Sequence, residues 1–285
     1  TGTLLARAIH EQKILLDDDI RKYMDEPIPN LSFEGHPITF RHLATHQSGL
    51  PHMFPNKIGL FENPDLDRLP LEFNELLIEY SREQFFSELS QVELDTVPGS
   101  QFLYSNVGAN LIGYLLEEVY NKSFEDLLNE QILGPLRMKD TKISEINPKQ
   151  LAFGQNTNKV RMPLRARKKM CADGGIVTTV IDMLKYLRFH LDETNEIIEI
   201  SHRHLWDGKF GEFETSLFWQ INKNGDKPRI IFQNGGAFGT SSWVTLIPDR
   251  KIAVFMISNV AGENIHSYLN TTTNNIITEI VNKQD

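Results

Sequence analysis

Tyr104 and Asn106 stand two residues apart at the end of the run Pro98-Gly99-Ser100-Gln101-Phe102-Leu103-Tyr104-Ser105-Asn106, where a turn gives way to a helical pattern. A phenol and a carboxamide at such a junction are suited to pass a proton and to hold an amide. That chemistry calls for a polar cleft that depresses the phenol's pKa; without one, a tyrosine here is a packing residue. Ser105 or Asn106 has the side chain to cap the helix that follows. A second group is Gln233-Asn234-Gly235-Gly236-Ala237-Phe238-Gly239, with three glycines in five residues between two β-branched runs. Glycines inside a strand weaken it and mark a bulge or an edge that a ligand approaches; the plainer alternative is a hairpin turn. His42 and His46 have the i, i+4 spacing that lets two imidazoles share a metal on one helix face. No Glu follows His42, and His52 lies beyond a Gly49-Leu50-Pro51 break, so the simpler expectation is that one packs and one caps a turn. There is no Gly-x-Ser-x-Gly elbow, no phosphate-cradling glycine loop and no dinucleotide fingerprint.

The elements that must position these residues change in character along the chain. Leu4, Leu5, Ile9 and Leu15 share one apolar face, so Thr1 opens on a helix already in progress. Helical patterns are expected over 3–13, 17–24, 38–46, 73–92 (as one or two segments), 106–120, 123–133, 178–191 and 195–206. A long irregular stretch runs from Gly134 to about Gly175. Short β-branched and aromatic runs over 213–221, 229–233, 241–248 and 252–258 follow, broken by turn residues such as Asn224-Gly225-Asp226 and Pro248-Asp249. Strands so closely spaced must be antiparallel, because a parallel crossover needs more chain. A last helix, 264–281, is placed to cover one sheet face. The expected class is α+β: an antiparallel sheet flanked by helices, with a mainly helical region before it.

With 285 residues, 40% hydrophobic and 24% charged, the chain is long enough to bury a sizeable core and ordinary enough to exclude disorder. Its 38 acidic against 29 basic side chains give a net charge of −9, a poor match for nucleic acid or anionic lipid. The single cysteine, Cys171, excludes an internal disulfide and a thiolate metal cluster.

Taken in order, several segments resemble one family. His42-Leu43-Ala44-Thr45-His46-Gln47-Ser48-Gly49-Leu50-Pro51 is similar to the "RHLLTHTSGLP" segment of serine β-lactamase-like proteins. Tyr104-Ser105-Asn106 looks like their Tyr-x-Asn motif, Leu111 to Tyr114 and Gly134 to Met138 continue it, and Ala172-Asp173-Gly174-Gly175-Ile176-Val177-Thr178-Thr179 resembles "AAGGLYST". Gln233-Asn234-Gly235 stands where the family carries Lys-Thr-Gly or His-x-Gly. The chain thus resembles the penicillin-recognising serine hydrolases (class C β-lactamases, DD-peptidases and esterases), and most of all the AmpH-type carboxypeptidases/endopeptidases.

The resemblance implies acyl transfer through an acyl-enzyme without metal or organic cofactor. The family's Ser-x-x-Lys motif and N-terminal strands lie upstream of the segment matching Thr1–Ala6, so the nucleophile is expected before Thr1 and the chain from Thr1 onward is expected to be inactive by itself. Tyr104 would accept and return a proton, and Asn106 would bond the substrate amide or orient the lysine. The Gly236 N–H would join the serine's own in the oxyanion hole, and Gln233, Asn234 and Gly235 would bind the substrate's carboxylate side. Gln233 brings a neutral amide where a cation is usual, which favours ester or specialised peptide substrates over carboxylate-bearing ones. The implied division is a sheet domain of residues 1–25 and 177–285, a helical domain of 26–176, and a cleft between them. The implied partner is a small-molecule or peptidoglycan-like peptide substrate, at a periplasmic or extracellular location peripheral to the bacterial envelope. Lys159, Arg161, Arg165, Arg167, Lys168 and Lys169 form either a solvated loop or a rim that attracts an anionic cell-wall substrate. Two other classes remain open: a catalytically dead binding protein on the same fold, and a metal hydrolase using His42 and His46.

Overall fold

The structure, a computed structural model, describes residues 1–57, 65, 67–166, 171–210, 213–222, 228–262 and 264–283, the side chains of 207–210 excepted. Helix α1 (Gly2–His10) buries Leu4, Leu5, Ala6 and Ala8. A 3-10 turn, Ile20–Tyr23, takes the place of the expected second helix, with Asp19 accepting a hydrogen bond from the Arg21 N–H at its start. A small hairpin of β1 (Ser32–Phe33) and β2 (His36–Pro37) leads into α2 (Phe40–Ala44), which Thr39 caps. The 73–92 pattern divides into α3 (Leu69–Glu79) and α4 (Arg82–Leu89), because Ser81 caps a new helix in a box with Gln84.

Helix α5 (Asn106–Tyr120) keeps the bounds its sequence suggests: Ser105 caps it and Asn121 ends it in the left-handed conformation. It is the centre of the largest core cluster, where Leu111, Ile112 and Leu115 meet Leu4, Leu5, Phe40, Leu43 and Phe85. The 123–133 pattern begins as α6 (Phe124–Leu128) and continues as one π turn, Asn129–Leu133, closed by the Gly134 N–H on the Asn129 carbonyl. Among its described residues, the irregular stretch holds a 3-10 turn and the short β3 (Gln155–Asn156).

Helices α7 (Val180–His190) and α8 (Glu196–His202) come next, and α8 is shorter than the expected 195–206. Trp206 instead opens β4 (Trp206–Phe210). This edge strand pairs with β5 and lacks the β-branched and aromatic run that identified its neighbours. The run 213–221 divides into β5 (Phe213–Thr215) and β6 (Gln220–Asn222) around a tight turn. Strands β7 (Ile230–Ala237), β8 (Thr240–Ile247) and β9 (Ile252–Ser258) complete a six-stranded antiparallel meander in the order β4-β5-β6-β7-β8-β9. The expected Asn224-Gly225-Asp226 turn lies outside the described residues.

Alternation gives the sheet two apolar faces. Leu187 of α7 packs with Trp219, Ile221, Ile231, Val244 and Leu246 on one. On the other, α9 (Ile265–Val281) sets Leu269 against Phe232 and Trp243, and Ile277 against Ile247 and Ile252. The last short strand, β10 (Val260–Ala261), runs parallel to β3. Beside it the β7–β8 turn meets Gly154: a Cβ on Gly239 would stand 2.5 Å from the Gly154 carbonyl carbon, so two backbones touch there only because both residues are glycine. Among the described residues, no helix is long and apolar enough to cross a membrane.

Candidate active site

The Tyr104 segment is held by a second loop running beside it. Gln47 and Gly99 exchange two bonds, the Gly99 N–H donating to the Gln47 carbonyl and the Gln47 Nε2 to the Gly99 carbonyl, both at 2.8 Å. The Leu103 N–H donates to the His46 carbonyl (2.7 Å) and the Asn106 N–H to the His52 carbonyl (2.8 Å). Ser105 Oγ donates to the Pro51 carbonyl (2.6 Å) while accepting from the Gly108 N–H (3.0 Å), so one hydroxyl both caps α5 and ties the loops. The head of α5 is therefore fixed by backbone bonds, and Tyr104 and Asn106 inherit that rigidity.

Tyr104 is 50% exposed, so its hydroxyl can be reached from solvent, and it donates to Asn106 Oδ1 at 3.2 Å. Its ring lies 4.4 Å from that of His46 and 5.5 Å from that of His52. His52 Nε2 stands 3.4 Å from Asn106 Nδ2, so the carboxamide is gripped at both ends. The depressed phenol pKa that the sequence reading required is not found. Partial burial and the neighbouring Asp173 carboxylate push the Tyr104 pKa up, against a smaller opposing effect of Arg165. The resting phenol is a protonated donor.

His42 and His46 serve different purposes. His42 Nδ1 accepts the Thr39 N–H and closes the capping box of α2. His46 is 8% exposed, its Nδ1 accepts the Ser105 N–H (3.2 Å), and burial pulls its pKa down to about 4, leaving it neutral. Its ring touches those of Phe102, Tyr104 and Phe218. Among the described residues, no group of three or more His, Cys, Asp or Glu side chains is gathered to hold a metal ion.

Phe218 links this wall to the sheet. Its N–H donates to the Ala44 carbonyl, its carbonyl accepts Gln233 Nε2, and its ring meets His46 at 5.3 Å. Both His46 (φ 56°) and Phe218 (φ 61°) adopt the left-handed conformation. For a bulky aromatic residue this costs on the order of 1–3 kcal/mol and persists only where surroundings over-determine it. Helix α1 begins against the same residue, since a Cβ on Gly2 would lie 2.5 Å from the Leu217 carbonyl oxygen and 3.5 Å from the Phe218 ring. Thr1 Oγ1 donates to the Ala172 carbonyl.

The glycine-rich motif is strand, not turn, as far as Ala237; only Phe238 and Gly239 turn the chain. Ala237 and Thr240 close that two-residue hairpin, and pairs in an antiparallel ladder alternate between bonded and non-bonded. Gly236, opposite Ser241, therefore falls at a non-bonded position, with its N–H turned toward the edge that β6 leaves open beyond Phe232. Gly235 has its carbonyl against His266 Nε2 (3.0 Å), and a Cβ there would stand 2.8 Å from Ser242 Oγ. Asn234 is exposed. Gln233 is folded back: one Nε2 hydrogen donates to the Phe218 carbonyl and its Oε1 accepts the Asn234 N–H (2.9 Å), so the amide is tied to Phe218 and to its own strand and keeps one further N–H.

Sequence reasoning passed over the Asp173–Arg165 pair beneath Tyr104. The Asp173 side chain is 1% exposed, Arg165 binds it at 2.7 Å, and Arg165 also donates to the Gly174 carbonyl (2.9 Å). Burial raises the Asp173 pKa, with Arg165 opposing. The aspartate inside an element that otherwise resembles Ala-Ala-Gly-Gly was the available signal. Arg165 thus belongs to neither a solvated loop nor a free rim, and Arg161 stacks on Phe153 at 3.6 Å; Arg167, Lys168 and Lys169 lie outside the described residues.

Known proteins with the same architecture are numerous. A family profile described as Beta-lactamase matches residues 1–281. The D-alanyl-D-alanine-carboxypeptidase/endopeptidase AmpH of Escherichia coli K12 is 24% identical over 98% of this chain and 73% of its own length. A β-lactamase/D-alanine carboxypeptidase from Yersinia pestis superposes with a TM-score of 0.77 at 20% identity, covering 98% of this chain and 80% of that one. An octameric penicillin-binding protein homologue from Pyrococcus abyssi gives 0.74 at 22%, covering 92% of this chain, which spans only 60% of that one. The α+β architecture expected from the sequence is that of these neighbours, and the chain belongs to the beta-lactamase family, a family of serine hydrolases.

Proposed function

We propose that this chain carries all but the nucleophile segment of a serine acyl hydrolase acting on ester, amide or β-lactam bonds of peptidoglycan-like or small-molecule substrates. The observation that supports it best is the juxtaposition around Phe218. The Tyr104–Asn106 pair on its rigid helix head reaches, through His46 and Phe218, the residue that receives Gln233 from β7. The start of α1 packs on that same Phe218. A Ser-x-x-Lys segment directly before Thr1 would therefore enter between the two walls, in a cleft separating residues 26–176 from residues 1–25 and 177–285.

Each residue takes a role that its surroundings suit. The upstream serine attacks the carbonyl and the lysine takes its proton. Tyr104, a protonated phenol at rest, delivers a proton to the leaving group; the charge on the protonated lysine stabilises the phenolate left behind, which then takes the lysine's proton and returns to phenol. Asn106 offers its carboxamide to the substrate amide or to the lysine. The outward Gly236 N–H and the serine's own N–H receive the developing oxyanion, each such donor contributing about 3–4 kcal/mol. Gly235 and Asn234 present the open strand edge to the substrate. Gln233, tied to Phe218 and carrying no charge, offers a carboxylate only a neutral N–H, so uncharged esters are handled well. Residence in the periplasm or outside the cell accords with such substrates.

The test is a covalent adduct. The full-length protein, with its upstream segment, should gain the mass of one fluorophosphonate or penicillin on that serine. Tyr104→Phe should keep the fold and lower turnover about 10²–10⁴-fold, the usual contribution of a general acid–base group. Absence of any adduct selects a binding protein instead, and unchanged turnover in the variant makes Tyr104 structural.

A further inference from the structure

Five polar side chains from α1, α7, α8 and the α7–α8 connection form one hydrogen-bonded chain. Tyr186 of α7 meets Thr3 Oγ1 of α1 at 2.7 Å, and Thr3 Oγ1 meets His190 Nε2 at 3.2 Å. His190 Nδ1 meets His202 Nε2 of α8 at 3.0 Å, and His202 Nδ1 meets Glu193 Oε1 at 2.9 Å. Arg229 closes the line on the same carboxylate. Thr3, His190 and His202 are buried, and Trp219 packs on both imidazoles at 5.1 and 5.7 Å. Nothing in the proposed reaction uses these groups.

The partners fix the direction of every bond. The Glu193 carboxylate can only accept, so His202 Nδ1 carries the proton and its Nε2 is a bare acceptor. His190 Nδ1 must then donate to it, which leaves His190 Nε2 to accept from the Thr3 hydroxyl and the Thr3 oxygen to accept from Tyr186. Two neutral imidazoles of the same tautomer satisfy the whole chain. One added proton breaks this order: either two N–H groups face each other at 3.0 Å, or every bond back to Tyr186 reverses and leaves a cation in a buried site.

We propose that the Thr3–His190–His202–Glu193 chain is a positioning latch for the candidate site, holding the start of α1 while both imidazoles are neutral and releasing it when the pair takes up a proton. What it holds is consequential, because Gly2 and Thr1 pack on Leu217, Phe218 and Ala172, and Phe218 carries the His46–Tyr104 wall. The titratable and charged groups facing the pair are Tyr186 from α7, Glu193 from the α7–α8 connection and Arg229 ahead of β7. Burial lowers both histidines' pKa: His190 well below the ordinary 6.5, with His202 adding to the effect, and His202 less, because Glu193 opposes. Since the unfolded chain binds these protons more readily, the latch is closed above pH 6.5 and weakens as pH falls below it. The latch rests on its hydrogen bonds alone; its effect on turnover rests on the reading proposed above.

The experiment is hydrogen exchange of the full-length protein from pH 7.5 to 5, with each peptide corrected for intrinsic rate. Protection of residues 3–8 is compared with residues 107–116 of α5 in wild type, Glu193→Gln and His202→Gln. In wild type, α1 protection should fall at least tenfold relative to α5 on the way to pH 5. Glu193→Gln, which removes the carboxylate favouring the proton, should keep the onset of that fall near pH 6.5 and deepen it toward pH 5, and His202→Gln, which leaves His190 alone to titrate, should make it shallower. Should either variant fail to fold, ¹⁵N imidazole spectra of wild type at pH 7 serve instead: two neutral, Nδ1-protonated histidines support the latch. Parallel protection of α1 and α5, a Glu193→Gln fall no deeper than the wild type's, or Nε2-protonated imidazoles would overturn it. A shift in α1 protection without a matching shift in the acid limb of kcat would instead count against the proposed site and leave the latch standing.

Discussion

Replacing His46 by asparagine separates the two contributions this residue makes to the cleft wall. Asparagine tolerates the left-handed backbone that His46 adopts at φ 56°, and its Oδ1 can take the Ser105 N–H that Nδ1 now accepts. What it loses is the ring among Phe102, Tyr104 and Phe218, and the ability to titrate. Aromatic pairs contribute about 0.5–1.5 kcal/mol each beyond area, so the variant should be less stable by about 2 kcal/mol at pH 7. The pH term has the opposite effect. His46 has a folded-state pKa of about 4 against 6.5 when unfolded, so between those values the unfolded chain holds more protons. Stability is therefore complete above about pH 6.5 and is lost as pH falls toward 4. At roughly 1.4 kcal/mol per pKa unit the loss comes to about 3 kcal/mol. Other buried histidines lose stability in acid as well, but wild type and variant share them, so their difference isolates position 46. Urea midpoints from pH 7 to 4.5 should show the variant trailing at neutral pH and closing the gap, or overtaking, in acid. A gap constant within about 0.5 kcal/mol would refute the reasoning, because a buried, neutral His46 has to carry this slope.

Gln233→Lys must break the bond to the Phe218 carbonyl and place a cation at the open edge of β7. It should raise kcat/KM for a penicillin relative to a small p-nitrophenyl ester, with a gain that shrinks in salt; an unaltered ratio removes position 233 from carboxylate reading. Gly99 has φ 93° and would bring a Cβ to 2.9 Å from His42 Nε2, whereas Gly35 has φ 83° with nothing within 4 Å. Gly99→Ala should therefore lower unfolding free energy by about 2–3 kcal/mol and Gly35→Ala by only about 1, as read from denaturant midpoints; equal losses would mean that His42 yields without cost.

The sequence shows most clearly those features that a short stretch decides for itself. Ser105 precedes a strongly periodic apolar run and Asn121 follows it, so both ends of α5 could be read directly, and the 252–258 strand was equally plain as a short β-branched and aromatic run. Trp206–Phe210 could not be read that way, because Asp207, Gly208 and Lys209 give it no apolar period, and it becomes a strand only by adding to β5. The glycine motif was ambiguous for a physical reason: the same residues suit a turn and a strand edge, and the ladder with β8 resolves them in favour of the edge as far as Ala237.

The candidate site was legible in its residue types and illegible in its electrostatics. Tyr104, Asn106 and the Gln233–Gly236 strand could be named from local pattern, but the charge that faces Tyr104 comes from Asp173, a residue 69 positions away whose own partner is Arg165. A sequence written in one dimension does not show which of several acids and bases will share a cavity. The left-handed His46 and Phe218 are hidden for a related reason. Phenylalanine disfavours that conformation and histidine tolerates it better, and each adopts it where distant groups, the Leu103 N–H for one and the Ala44 carbonyl with the Gln233 amide for the other, hold it there. Strain of this kind is imposed from outside the segment that bears it. Residues whose conformation contradicts their own preference are therefore the ones through which the two halves of the cleft wall communicate.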